Sequence, residues 1–140
     1  MTDQSRPRER GFTLMEMIVV LVVIGLIATM VVPQVMGMLD SAKSKTARLQ
    51  LNNVEQAVRY FEIDMGRYPT SEEGLAVLLE APEDDLTWMG PYLSEVRQLR
   101  DPWNRELRYE ERDGGYRLWT LGADGEEGGK GDDADLELAR

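Results

Sequence analysis

From Phe12 to Leu39 the chain runs for 28 residues with Glu16 as its only charged side chain, and residues 17–39 carry none. At about 1.5 Å of rise per residue, a helix of this length exceeds the roughly 30 Å hydrocarbon core of a bilayer. The stretch therefore reads as a membrane segment, and every other element must be arranged around it. The flank before it holds Arg6, Arg8 and Arg10 against Asp3 and Glu9. The positive-inside rule weights the arginines over the acids, placing this end in the cytoplasm and exporting the remainder. A cleavable secretory signal would put a small-x-small motif after the apolar run. Ala28 followed by Thr29, Met30 and Val31 is a poor match, so no cut is expected there.

The chain has 140 residues, enough for this segment and one small domain. Beyond Leu39, Ala47, Leu51, Val54, Val58, Phe61 and Met65 recur at spacings of four and three, while Lys45, Arg48, Gln56, Arg59 and Glu62 lie off that stripe. This is the pattern of an amphipathic helix with one dry face. Gly66 supplies a C-terminal stop and Pro69 forbids resumption. Within the apolar run Pro33 removes a backbone donor, with Gly25 and Gly37 on either side. Thr70 and Glu73 have capping-box spacing and introduce a short second helix closed by Pro82. Residues 81–104, anchored by Trp88, Tyr92, Leu93 and Trp103, read as a packed loop. Residues 106–110 and 116–121 alternate around Asp113-Gly114-Gly115, which is a β-hairpin signal. Trp119 is read, like the other two tryptophans, as a packing anchor.

Composition narrows the function. Acidic side chains number 26 against 16 basic ones, a net charge of −10, which disfavours phosphate-backbone binding, so no nucleic acid partner is expected. There is no cysteine and no histidine, removing disulfides, zinc sites of the usual kind and the commonest nucleophile and base. With no nucleophile motif, no enzymatic activity is expected. Any metal must be hard and oxygen-seeking. Residues 122–140 hold seven acids with Gly125, Gly128, Gly129 and Gly131. From the residues alone this tail is either a solvated acidic end or a loop folded around one calcium ion.

Two sets of residues resemble known families. Arg10-Gly11-Phe12-Thr13-Leu14-Met15-Glu16 resembles the type III signal of type IV pilins and pseudopilins. Across the rest of the chain stand Gly66-Arg67-Tyr68-Pro69-Thr70, Glu73-Gly74-Leu75, Asp101-Pro102-Trp103, Leu121-Gly122-Ala123-Asp124-Gly125, Gly128-Gly129 and Asp133-Ala134-Asp135, in that order. Together they resemble the major pseudopilin, or G-type subunit, of the type II secretion system. Departures are small: Leu136 stands where the family often has isoleucine, and Asn104 where it often has glycine.

The resemblance implies an α+β, pilin-like lollipop: a long N-terminal helix, half membrane-embedded and half amphipathic, packed on a small antiparallel β-sheet, with a C-terminal calcium loop. It implies a leader at 1–11, a transmembrane and filament-core helix at 12–39 and a periplasmic domain at 40–140. A prepilin peptidase would cut between Gly11 and Phe12, with Phe12 then N-methylated. The subunit would polymerise from the inner membrane, with its assembly platform and minor pseudopilins, into a periplasmic pseudopilus that drives folded proteins through the outer-membrane secretin. Membrane lipid surrounds it beforehand. Glu16 would meet the Phe12 amine of a neighbouring copy, setting axial register, or else sit at the headgroup boundary. Pro33 would mark a stretch that unwinds during assembly, or only a kink. For Ca²⁺, Asp124, Asp132 and Asp133 would supply charge, with the carbonyls of Leu121 and Glu127 completing the shell and Asp135 supporting the loop from outside. The rival readings are a type IV pilin of an adhesion or DNA-uptake fibre, in which a C-terminal disulfide would be common, and a monomeric membrane-tethered calcium-binding module.

Overall fold

The computed structural model describes residues 11–82 and 85–140. The chain divides into two compact units between Met38 and Leu39. Of the leader expected at 1–11, only Gly11 lies among the described residues, so Arg6, Arg8 and Arg10 fall outside them.

Helix α1 (Leu14–Met65) continues through Pro33 without a break. Thr13 caps it: the Glu16 N–H donates to Thr13 Oγ1 at 3.2 Å, and the Met17 N–H makes the first helical bond to the Thr13 carbonyl. Pro33 has no N–H for the Thr29 carbonyl, the acceptor four residues earlier. Every large hydrophobic side chain from Phe12 to Leu39 is exposed, and the apolar window of α1 has a mean hydropathy of 2.7 with none of it buried. This helix is long and apolar enough to cross a membrane.

The second unit builds its core on the other half of α1. Ala47, Leu51, Val54, Ala57, Val58 and Phe61 are buried there with Leu75, Leu78, Leu107, Tyr116, Leu118 and Leu136. The buried stripe is the one that the spacing predicts as far as Phe61, widened by Ser44 and Ala57, with Met65 only partly buried against the core. Helix α1 ends at Met65, and Gly66 takes the left-handed conformation (φ 69°) that lets its N–H reach the Glu62 carbonyl at 2.8 Å.

The segment Arg67 to Glu73 is held together by its own side chains. The Arg67 guanidinium donates to both carboxylate oxygens of Glu73 at 2.7 Å. The same carboxylate accepts the Thr70 N–H at 2.8 Å, while the Glu73 N–H donates to Thr70 Oγ1 at 3.2 Å, closing the capping box. Tyr68 packs edge-on against Tyr116, and the buried Pro69 gives its carbonyl to the Tyr109 hydroxyl at 2.8 Å. The box opens a 3-10 helix, Gly74–Leu78, rather than an α-helix.

The strands β1 (Arg108–Arg112), β2 (Gly115–Thr120) and β3 (Leu136–Ala139) form an antiparallel sheet in that order. The β1–β2 turn is the two residues Asp113 and Gly114, since Arg112 pairs with Gly115. Strand β1 therefore begins two residues later than its alternation predicts. Strand β3 is not predicted at all; it pairs Leu136 with Thr120 and Leu138 with Leu118. Residues 85–104 form a packed loop, as expected for this part of 81–104, apart from a 3-10 turn at Val96–Leu99, with Trp88 Nε1 donating to the Val77 carbonyl at 2.9 Å. Trp119 packs outside the core: on the strand face opposite Tyr116, Leu118 and Thr120, it lies half-buried under the Arg117 guanidinium, 4.4 Å from its ring centroid.

A buried carboxylate ties loop to sheet. Asp101, with no exposed side-chain surface, accepts the Trp103 and Arg105 N–H groups at 3.0 and 2.8 Å, Arg105 Nε at 3.1 Å and the Thr120 hydroxyl at 2.6 Å. Asn104 in this turn has φ 68°, which explains how it stands where glycine is common: asparagine is among the few side chains that tolerate the left-handed region.

The Arg67 pair holds the Glu73 carboxyl down at about 2 from an ordinary 4.5. A depressed carboxyl contributes stability that is complete above its unfolded pKa and disappears as pH falls through its folded one. Melting of the chain should therefore lose the pair's contribution between about pH 4.5 and 2. Because the guanidinium is 40% exposed, screening limits this to about 1 kcal/mol. Glu73→Gln should flatten that part of the melting-temperature profile; an unchanged slope would contradict the assignment.

Candidate functional site

Two regions carry the predicted site residues, one in each unit. At the start of α1, Thr13 and Glu16 form one turn, with Glu16 third in the helix. There its carboxylate lies near the positive end of the helix dipole, an effect worth about 0.3–1 kcal/mol. Phe12 precedes the cap and is exposed, as Pro33 is further along the helix. Thr13 is the residue that sequence reasoning passed over here; its spacing to Glu16, the same as that of Thr70 to Glu73, was the available signal.

The second region lies beyond β2. Leu121 is buried and its carbonyl accepts the Gly125 N–H at 3.1 Å. Asp124 Oδ1 then accepts the Glu126 N–H at 3.0 Å. Two cross-links close the loop: the Ala123 N–H donates to the Asp132 carbonyl at 2.9 Å, and Gly128 and Asp135 exchange bonds at 3.0 Å, through the Asp135 N–H and through its Oδ2. Arg105, held by Asp101, also donates to the Gly122 carbonyl, and its guanidinium occupies the space that a side chain at Gly125 would need. The loop's entry is thus fixed by the same buried carboxylate that fixes the Asp-Pro-Trp turn.

Glycine is demanded where the loop is tightest. Gly122 and Gly129 have φ of 53° and 76°, and a Cβ on either would strike the Asp133 carbonyl.

Asp124, Asp132 and Asp133 are thus brought into one cross-linked loop, with the Leu121 carbonyl at its entrance. Their side chains do not converge: among the described residues no three acidic side chains stand together as a cation cage. Glu127 carries its side chain outward to Arg108 at 3.4 Å. The donor set is nevertheless all oxygen, and Asp135 Oδ1 is buried with no hydrogen-bond partner. Such an oxygen suits a hard cation or a water. Through its bonds to Gly128, Asp135 is part of the loop's closure, directly before β3 begins.

A helix with a bare apolar half, its other half packed on a three-stranded antiparallel sheet, defines the pilin-like class. Against solved structures, the chain matches the major pseudopilin of the type 2 secretion system of enterohaemorrhagic Escherichia coli with a TM-score of 0.57 and 24% identity, over 71% of this chain and 87% of that one. Residues 34–139 match the model of the type II secretion system protein G family, and residues 6–32 match the prokaryotic N-terminal methylation motif. The type II secretion system core protein G of Pseudomonas aeruginosa is 36% identical over 94% of this chain and 96% of its own length. Those of Vibrio cholerae and Escherichia coli K12 are 35% and 33% identical, over 92% and 98% of this chain and 90% and 97% of their own. The chain belongs to the type II secretion system protein G family, and the reading as a type IV pilin gives way to it.

The glycine assignments are testable by melting. Gly129→Ala should destabilise the chain by about 2 kcal/mol or more, from the positive φ and the collision together. Gly131→Asn should cost well under half of that, because Gly131 has a positive φ but open space around it. Equal losses would show that the approach of Asp133 is not what requires glycine.

Proposed function

We propose that this chain is the repeating structural subunit of a type II secretion pseudopilus, anchored in the inner membrane by residues 12–39 and carrying residues 40–140 in the periplasm. The observation that carries this reading is the wholly exposed apolar half of α1 in a chain that is protein G-like from residue 34 to 139. So large an apolar surface needs lipid before assembly and other copies after it. On this reading the prepilin peptidase cuts between Gly11 and Phe12, Phe12 is N-methylated, and the assembly platform and minor pseudopilins are its partners. Glu16 is the one charged side chain that must enter a packed bundle of such helices. A neighbouring Phe12 amine neutralises it and fixes register. No step in this role asks the chain to make or break a covalent bond.

Glu16→Ala should leave processing and membrane insertion intact while abolishing pseudopili in shear fractions. Gly11→Ala should block leader removal itself. Normal fibres from the first variant, or mature-length protein from the second, would refute the corresponding role.

The C-terminal loop is proposed to hold one Ca²⁺. Asp124, Asp132 and Asp133 would supply charge and the Leu121 and Glu127 carbonyls neutral oxygens, with the free Asp135 oxygen as a further donor. The ion's contribution would be structural, drawing the acidic strands of the loop together. Calcium at a hundredfold excess over its dissociation constant should add about 2.7 kcal/mol of stability, removed by chelator and by Asp124→Ala. A wild-type melting temperature indifferent to chelator would refute the site.

A further inference from the structure

We infer that Lys43, Lys45 and Arg48 form a basic collar on α1 that binds the anionic phosphate headgroups of the bilayer crossed by residues 12–39. This rests on the membrane reading above. The first observation is how cations are paired. Arg67, Arg97, Arg100, Arg105, Arg108, Arg112 and Arg117 each stand within 3.4 Å of a carboxylate. Among the described residues, none of the three collar cations has such a partner, and Arg59, Lys130 and Arg140 have none either, although residues 49–140 carry 22 acidic and 10 basic side chains. The three cations nearest the end of the apolar run are thus among those left unpaired; Asp40 is the acid among them in sequence, and Arg48 shares a cleft with Asp135 and Glu137.

The second observation is placement. Lys43, Lys45 and Arg48 lie four, six and nine residues past Leu39 on a continuous helix, about 6, 9 and 14 Å along its axis. Side chains on a helix lean toward its N-terminus, so these carry their charges back toward the apolar end. Long cationic side chains can then hold their heads at headgroup level. At about 100° per residue, Lys43 and Lys45 project from sides of the helix about 160° apart. A single protein surface cannot cover both, whereas a lipid annulus surrounds the helix. The geometry therefore favours lipid over the acidic face of a second copy.

The test uses the full chain in vesicles of phosphatidylcholine, with or without phosphatidylglycerol, labelled with a membrane-impermeant amine reagent and read residue by residue. Lys130, the third and last lysine and an exposed one, is the internal control. Retention through an alkaline carbonate wash in both vesicle types reports the membrane reading separately. Labelling of Lys43 and Lys45 should slow about fivefold in the anionic vesicles, with Lys130 unchanged. At about 1 M salt, where the screening length falls to about 3 Å, the difference should vanish. A membrane-retained chain whose Lys43 and Lys45 ignore phosphatidylglycerol would overturn the collar. Protection that tracks protein density instead of anionic lipid would overturn it too, assigning these residues to a contact between copies. Loss of the chain in the carbonate wash would overturn the membrane reading and the collar with it.

Discussion

The apolar surface from Phe12 to Leu39 is the constraint on which the rest of this protein depends. Fully burying one Val, Leu, Ile or Met side chain is worth about 1.5–3 kcal/mol, and this stretch exposes a continuous run of them. The core of the second unit is closed around the other half of α1. The membrane and the filament are two ways of meeting one requirement, and a subunit that passes between them must exchange one cover for the other. Glu16 is the feature of this surface that distinguishes them. At the edge of a bilayer its carboxylate can reach water, whereas in a bundle of like helices it needs a cation.

The second unit owes its independence to two polar centres. Arg67 and Glu73 lock the chain as it leaves α1, and Asp101 gathers Arg105, Thr120 and its own turn. Arg105 then carries that order to Gly122, where the acidic loop begins. A calcium ion bound in that loop would act on a scaffold whose entrance is already fixed, while the outer acidic side chains still have to be drawn in. This division accounts for a loop with well-made backbone cross-links and no preformed cage among the described residues.

Much of this was legible in the sequence because it is local. The stripe from Ala47 to Phe61, the stop at Gly66 and the box between Thr70 and Glu73 each depend on a few residues along one turn. The hairpin was visible for the same reason, to within two residues. Strand β3 was not. Leu136–Ala139 is four residues long, joined to β2 by a long glycine-rich loop rather than a two-residue hairpin turn, and it becomes a strand only because β2 offers an open edge. The face that Trp119 takes was not legible, because the strand's register decides it. At the candidate site, glycine spacing pointed to a tight loop, but the cross-links from Ala123 to Asp132 and from Gly128 to Asp135 obey no spacing rule. A supporting role for Asp135 was anticipated, but its partner Gly128 was not.

Glu16, the one carboxylate within the apolar surface, offers the most direct test. Processed subunits carrying heavy and light nitrogen isotopes would be co-assembled into pseudopili, treated with a zero-length carboxyl-to-amine cross-linker and digested. If neighbouring copies neutralise Glu16, the digest should contain the Phe12 amine of one isotope joined to the Glu16 carboxyl of the other, absent from detergent-dispersed monomer. Assembled fibres in which Glu16 links only within its own chain, or to no amine at all, would contradict the claim that its charge is satisfied across the subunit interface.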